Sequence, residues 1–297
     1  MRIALFADIH GKILLPFKLV AFYQNITQKK IDLILQCGDI GAFPNLNNLD
    51  KATICHAQND RDELGFYDDF TKEKAEIKTF LDALNLRMIC VRGNHEDHEF
   101  LDNIEKNTGN EPEFDTIFPI DIYKKVWVCK SGKIQNFSIN KENTTENITF
   151  VGIGRIGDRK GRKDAAFIQD YEREEIKKLL KTKKVPDLLI SHDKDDTSQR
   201  GYGMAEIAAV LENLPFKYHF YGHTGEPFTQ TIDTNGITNA IKIKELEFNY
   251  SGILPEGCMI ILEINENENL EKIFKLEIVP QKITNNFTKY NWKTHIF

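Results

Sequence analysis

Met88-Ile-Cys-Val-Arg-Gly-Asn-His-Glu96 opens as an apolar run long enough for a short buried strand and breaks at Gly93 into an amide, an imidazole and a carboxylate. A strand that stops on glycine and hands over two reactive side chains sets them at the carboxyl edge of a sheet, where open α/β folds hold their ligands. Gly-Asn-His alone recurs by chance, so the weight falls on its surroundings. Four other apolar runs end alike: Arg2 to Ala7 in Asp8-Ile-His10, Ile31 to Gln36 in Gly38-Asp39, Asp187 to Ile190 in Ser191-His192, and Tyr218 to Tyr221 in Gly222-His223. Four of the eight histidines occupy these strand ends. A core histidine with a satisfied ring explains any one of them, but packing does not explain five endings of one kind. Carboxylate, imidazole and one amide oxygen form the mixed N/O set of first-row divalent ions such as Mn²⁺, Fe²⁺ or Zn²⁺. The absence of thiolates from that set argues against a structural zinc site.

Between these runs the chain alternates strand and helix. Helical spacing covers Leu14 to Gln28, Lys72 to Asn85, Phe167 to Lys181 and Met204 to Leu214. Residues 41–70 are polar and rich in Asn and Asp, a length of irregular chain that suggests a functional loop or an insertion. Ile122 to Cys129 and Ile134 to Ile139 read as paired strands turning at Ser131-Gly132. Ile148 to Ile153 leads into a basic loop bearing Arg155, Arg159, Lys160, Arg162 and Lys163. Such a cluster beside a strand end can hold the flanking phosphates of a polynucleotide, or it is a solvated loop entering a helix. Tyr202 is read as an ordinary loop aromatic rather than a base-stacking one. Alternating segments follow to Val279, and the tail from Gln281 shows no clear periodicity.

The chain has 297 residues, 41% apolar and 28% charged, which fits a globular protein with a real core. A net charge of −6 excludes a generally basic nucleic-acid coat while leaving room for a local patch. No run reaches membrane-span length, and Arg2 to Ala7 reads as a core strand rather than a leader. Five scattered cysteines without a Cys-x-x-Cys pair suggest buried reduced thiols and a cytoplasmic protein. One domain over 1–297 is expected, with a motif-bearing core at 1–226, a β-rich part at 227–280 and a tail at 281–297.

In order and spacing, the five endings resemble the motifs of the calcineurin-like metallophosphoesterases over Asp8 to Glu226. The resemblance implies an α/β fold, a four-layer αββα sandwich of two mixed sheets flanked by helices. It implies two divalent ions about 3.5–4 Å apart that clamp a phosphate ester. By position, Asp8 and His10 would hold the first ion, Asp39 would bridge both, and Asn94, His192 and His223 would complete the second. A water bridging the ions would become hydroxide and attack phosphorus in line. His95, beside the ions and not a ligand in the family, would protonate the leaving oxygen. Glu96 or Asp97 would either hold the His95 ring or mark a helix start.

One departure stands out. Where the family has Gly-His-x-His, this chain has Gly222-His223-Thr224-Gly225, so the first ion keeps three protein ligands unless Glu226 joins them. Within the superfamily, Asp32 to Asn45 and Asp187 to Asp193 resemble the RNA lariat debranching enzymes, although that branch keeps the last histidine. Arg92-Gly-Asn-His-Glu96 also resembles the Ser/Thr protein phosphatases, but Gly41-Ala-Phe-Pro44 stands where they carry Asp-Arg-Gly. The expected function is hydrolysis of a phosphodiester in RNA or a nucleotide, with Arg155, Arg159 and Lys160 on the substrate. The alternatives are a phosphomonoesterase or protein phosphatase, and a binding module with an impaired metal site.

Overall fold

A computed structural model describes residues 1–109, 111–140, 145–158, 160–162, 164–198, 200–233, 235–267 and 271–294. Its first sheet holds β1 (Arg2–Phe6), β2 (Leu33–Gln36), β3 (Met88–Cys90), β4 (Ile117–Pro119), β5 (Val126–Cys129), β12 (Ile260–Glu266) and β13 (Lys272–Ile278). They lie in the order β13-β12-β1-β2-β3-β5-β4. The second sheet holds β6 (Ile134–Asn140), β7 (Thr145–Ile153), β8 (Leu188–Ser191), β9 (Tyr218–Tyr221), β10 (Thr229–Ile232) and β11 (Asn239–Lys242), in the order β10-β11-β9-β8-β7-β6. Both sheets are mixed. β1, β2, β3 and β5 run parallel, as do β7, β8, β9 and β11, and antiparallel strands close the edges.

The period-two alternation of strands builds the layers. Ile3 and Leu5 of β1, Leu33 and Leu35 of β2, and Leu188 and Ile190 of β8 meet in one buried cluster between the sheets. Their neighbours face outward. Ala4, Phe6 and Ile34 pack under α1 (Leu14–Thr27), α4 (Ala75–Leu84) and α5 (His98–Asn107). Leu189, Val151 and Ile153 pack under α6 (Asp170–Thr182) and α7 (Ala205–Asn213). The result is the expected αββα sandwich.

Three segments depart from the sequence reading. Ile122 to Cys129 and Ile134 to Ile139 do not pair: β5 belongs to the first sheet and β6 to the second, so Ser131-Gly132 carries the chain from one sheet to the other. Residues 41–70 are not irregular; they contain α2 (Lys51–Ala57), α3 (Gly65–Phe70) and two short 3₁₀ turns. The tail is built in as well. It forms α8 (Gln281–Thr284), and Phe287 and Trp292 are buried in the α1-side core. The Trp292 indole donates to Asp62 at 2.7 Å, and Lys18 Nζ donates to the Trp292 carbonyl at 3.1 Å. Four cysteines are buried, whereas Cys55 on α2 is exposed, and all five are free thiols. Among the described residues no helix is long and apolar enough to cross a membrane.

Candidate metal centre

The five strand ends converge, and the backbone is bent to make them do so. Asp8, His10, Asp39 and His223 have φ of 47°, 41°, 52° and 65°, a left-handed region that residues other than glycine seldom adopt. Each such position costs on the order of 1–3 kcal/mol and persists only where the surroundings enforce it, as at functional sites. Gly93 has a different task. A Cβ there would fall 2.0 Å from Asp39 Oδ1, so only glycine lets the chain pass. The Asn94 and His95 N–H groups then donate to Asp39 Oδ1 at 2.8 and 2.9 Å.

Among the described residues two donor groups result. Asp8, His10 and Asp39 form one; Asp39, His192 and His223 form the other; within each, the ligand atoms lie within 4.8 Å of one another. Asn94 joins the second group, its Oδ1 standing 3.0 Å from His192 Nε2. The other ring nitrogen, His192 Nδ1, faces the Cys37 carbonyl at 3.0 Å, which fixes the ring and commits Nε2 to the side of Asn94 and Asp39.

The electrostatics suit a cation. Burial pushes the His192 imidazole down to about 3, so it is neutral, the form that binds metal. Burial, then the charge of Asp39, drives the Asp8 carboxyl well above the usual range. Burial also opposes ionisation of Asp39, but the surrounding imidazoles, His192 foremost, hold it below the ordinary value. Two carboxylates crowded this closely suit a shared cation. Among the described residues His223 Nε2 is buried with no hydrogen-bond partner, an orphaned ligand atom inside the second group. The residues therefore fit two divalent ions.

His95 stands at the rim with its Nδ1 2.9 Å from Asp50 Oδ2. Burial lowers its basicity, but the Asp50 hydrogen bond and the Asp39 charge outweigh this and lift it to about 9. Asp50 also caps α2, accepting from the Ala52 and Thr53 N–H groups at 2.8 and 2.9 Å. Neither Glu96 nor Asp97 holds the His95 ring. Glu96 accepts from the N–H groups of Ile40, Ala42 and Gly93 at 2.8, 2.9 and 3.1 Å and so ties the β2 and β3 loops together. Asp97 caps α5 through Phe100 N–H at 3.1 Å, the helix-start alternative.

These groups open into a cleft of about 380 Å³ lined by Asp8, His10, Asp39, His95 and His223, and also by Thr53, His56, Tyr202, Gly225 and three further carboxylates, Glu63, Glu245 and Glu247. No Lys or Arg lines it among the described residues. Sequence reasoning missed Asp50, Glu245 and Glu247. Asp50 alone left a trace, as a helix-capping residue ahead of Lys51-Ala-Thr53.

The basic loop is corrected. Arg155 is 0% exposed. Its guanidinium pairs with Asp102 at 2.7 Å and Glu172 at 2.9 Å, and it donates to the Tyr171 hydroxyl at 3.1 Å. With Arg92, which binds Asp102 and Glu105, it forms a buried clasp between α5 and α6. Arg155 therefore has no face for substrate. Arg159 lies outside the described residues. Lys160 is exposed, and its backbone N–H donates to Asp158 at 3.0 Å. Glu226 accepts from the Thr224 hydroxyl at 3.2 Å and is not part of the cleft lining.

A model of the calcineurin-like phosphoesterase family matches residues 1–227. No curated protein matches the chain. Among solved structures, it is similar to GAP50, the anchor in the inner membrane complex of Plasmodium, at 15% identity and a TM-score of 0.50 over 99% of this chain and 93% of that one. It is also similar to TT1561 of Thermus thermophilus, at 13% identity and a TM-score of 0.51 over 94% of this chain and 99% of that one. At these identities the likeness is one of fold.

Proposed function

Because the chain belongs to the calcineurin-like phosphoesterase family, we propose that it hydrolyses a phosphodiester at the two donor groups joined through Asp39. The observation that carries this reading is the carboxylate of Asp39, common to both donor groups, which would hold two cations close despite their repulsion. Asp8, His10 and Asp39 are assigned to the first ion, and Asp39, Asn94, His192 and His223 to the second. Divalent ions of the Mn, Fe or Zn type bound there would supply Lewis-acid charge to a phosphoryl oxygen and acidify a water.

The chain's own part is positioning and proton transfer. His95 donates a proton to the leaving oxygen through Nε2, since Asp50 engages Nδ1 and holds the ring in place. The carboxylate-rich lining, free of Lys and Arg among the described residues, favours a diester with its single charge. A monoester brings about −1.5 to −2 at neutral pH. RNA or a nucleotide is the substrate class, supported by the debranching-like stretch Asp32 to Asn45 and no longer by Arg155. The fully buried thiols of Cys37 and Cys90 accord with a cytoplasmic setting.

The test is a panel of bis-p-nitrophenyl phosphate, p-nitrophenyl phosphate and a 2′,5′-linked oligonucleotide, each with Mn²⁺. Diesters should be cleaved faster than the monoester. A monoester preference would make the protein a phosphatase, and inertness toward all three would make it a binding module.

A further inference from the structure

Gly225 leaves the first donor group, among the described residues, with Asp8, His10 and Asp39 alone. The strand order brings another carboxylate to the same place. The chain leaving β11 runs beside the end of β1: Ala7 pairs with Glu245 in a parallel bridge, and Leu246 N–H donates to the Ala7 and Asp8 carbonyls at 3.1 and 3.2 Å. Leu246 turns its side chain into the α1-side core, fully buried. Glu245 and Glu247, on either side of Leu246, both line the cleft.

The two carboxylates differ in what already holds them. Glu245 is engaged by Lys242 at 3.5 Å and by Lys244. Glu247 makes no ion pair with Lys or Arg among the described residues; its Oε1 lies 3.8 Å from His10 Nε2, which is itself 3.9 Å from Asp39 Oδ2. The space is open on the Gly225 side, where a Cβ would meet nothing nearer than Glu245 Oε1 at 3.8 Å. Two Nε2-to-oxygen spacings just under 4 Å around one imidazole are wider than hydrogen bonds and leave the His10 nitrogen facing oxygens across a gap.

Resting on the two-ion reading above, we propose that Glu247 is the fourth protein ligand of the first ion. A carboxylate from the chain beyond β11 would supply the ligand that Gly225 does not. An oxygen donor in place of an imidazole biases that position toward harder ions, Mn²⁺ over Zn²⁺.

The experiment is calorimetric titration of the intact, metal-stripped chain with MnCl₂, with thermal melts to check folding. Wild type should take up two ions. Glu247→Gln should keep one and lose affinity for the other by roughly tenfold to a hundredfold or more, the scale seen when the support of a metal ligand is removed. Glu245→Gln should bind both ions as wild type does. The Glu247 side chain is 44% exposed, so the substitution leaves the core intact. Two ions bound by Glu247→Gln at wild-type affinity would overturn the proposal, as would an equal loss in Glu245→Gln. Wild type that binds no Mn²⁺ would instead overturn the two-ion reading itself.

Discussion

In the proposed reaction, His95 and Asp50 form a pair that separates proton transfer from ion binding. His95→Ala should retain its ions in a metal analysis but lose turnover by about 10²–10⁴-fold. The loss should be smaller for p-nitrophenolate than for an alkoxide leaving group; an equal loss for both would remove His95 as the acid. Asp50→Asn keeps an oxygen to cap α2 but weakens the hold on the ring, so it should lower kcat with an unchanged melting temperature. A lower melting temperature with normal kcat would make Asp50 a cap and nothing more. The six proposed ligands were legible because each closes an apolar strand with a donor, a one-dimensional pattern. Asp50 was not, because its partner lies 45 positions away and is reached only through the fold. Arg155 was misread for the opposite reason: a basic run shows charge but not which guanidinium turns inward to meet Asp102 and Glu172.

Strand and helix periodicity placed the long elements within a few residues, since an amphipathic α4 or α6 carries its own pattern. Short elements carry none. α2 and α3 have seven and six residues, too few for a repeat to show. The Ser131-Gly132 turn failed differently. An apolar run, Ser-Gly and a second apolar run spell a hairpin as well as a passage between sheets, and only the competition of β3 for β5 and of β7 for β6 decides. The tail shows how an aperiodic segment still contributes. Trp292 is 3% exposed and hydrogen-bonded to Asp62 in the segment before α3. Trp292→Ala should cost about 3–5 kcal/mol in urea unfolding, whereas Tyr290→Ala, exposed on the same segment, should change stability little. Equal effects would show that the tail does not pack as described.

The clasp of Arg92 and Arg155 with Asp102, Glu105 and Glu172 joins the two outer helical layers behind the metal centre. Arg155→Met would strand buried carboxylates and should cost about 3–5 kcal/mol. His98 packs against this clasp, with Nδ1 3.3 Å from Arg155. Burial, then Arg155 and Arg92, push its imidazole down to about 3 from 6.5. The folded ring is thus neutral where the unfolded one takes a proton. Its contribution is full above pH 6.5 and is lost as pH falls toward 3, by up to about 1.4 kcal/mol per pH unit. His98→Gln should flatten the fall in unfolding free energy between pH 6.5 and 4 by that amount; an unchanged slope would mean the folded ring is already charged. The pairing of β1 with β12 acts on a longer scale. Arg2 to Leu5 find their antiparallel partners at Ile260 to Glu263. A chain emerging from the ribosome therefore carries Asp8 and His10 just beyond a strand whose antiparallel neighbour does not yet exist, with an apolar edge open to other nascent chains until β12 has been made. Assembly of the edge that carries the donor groups therefore waits for β12, and a fragment stopping at residue 227 should aggregate rather than bind Mn²⁺.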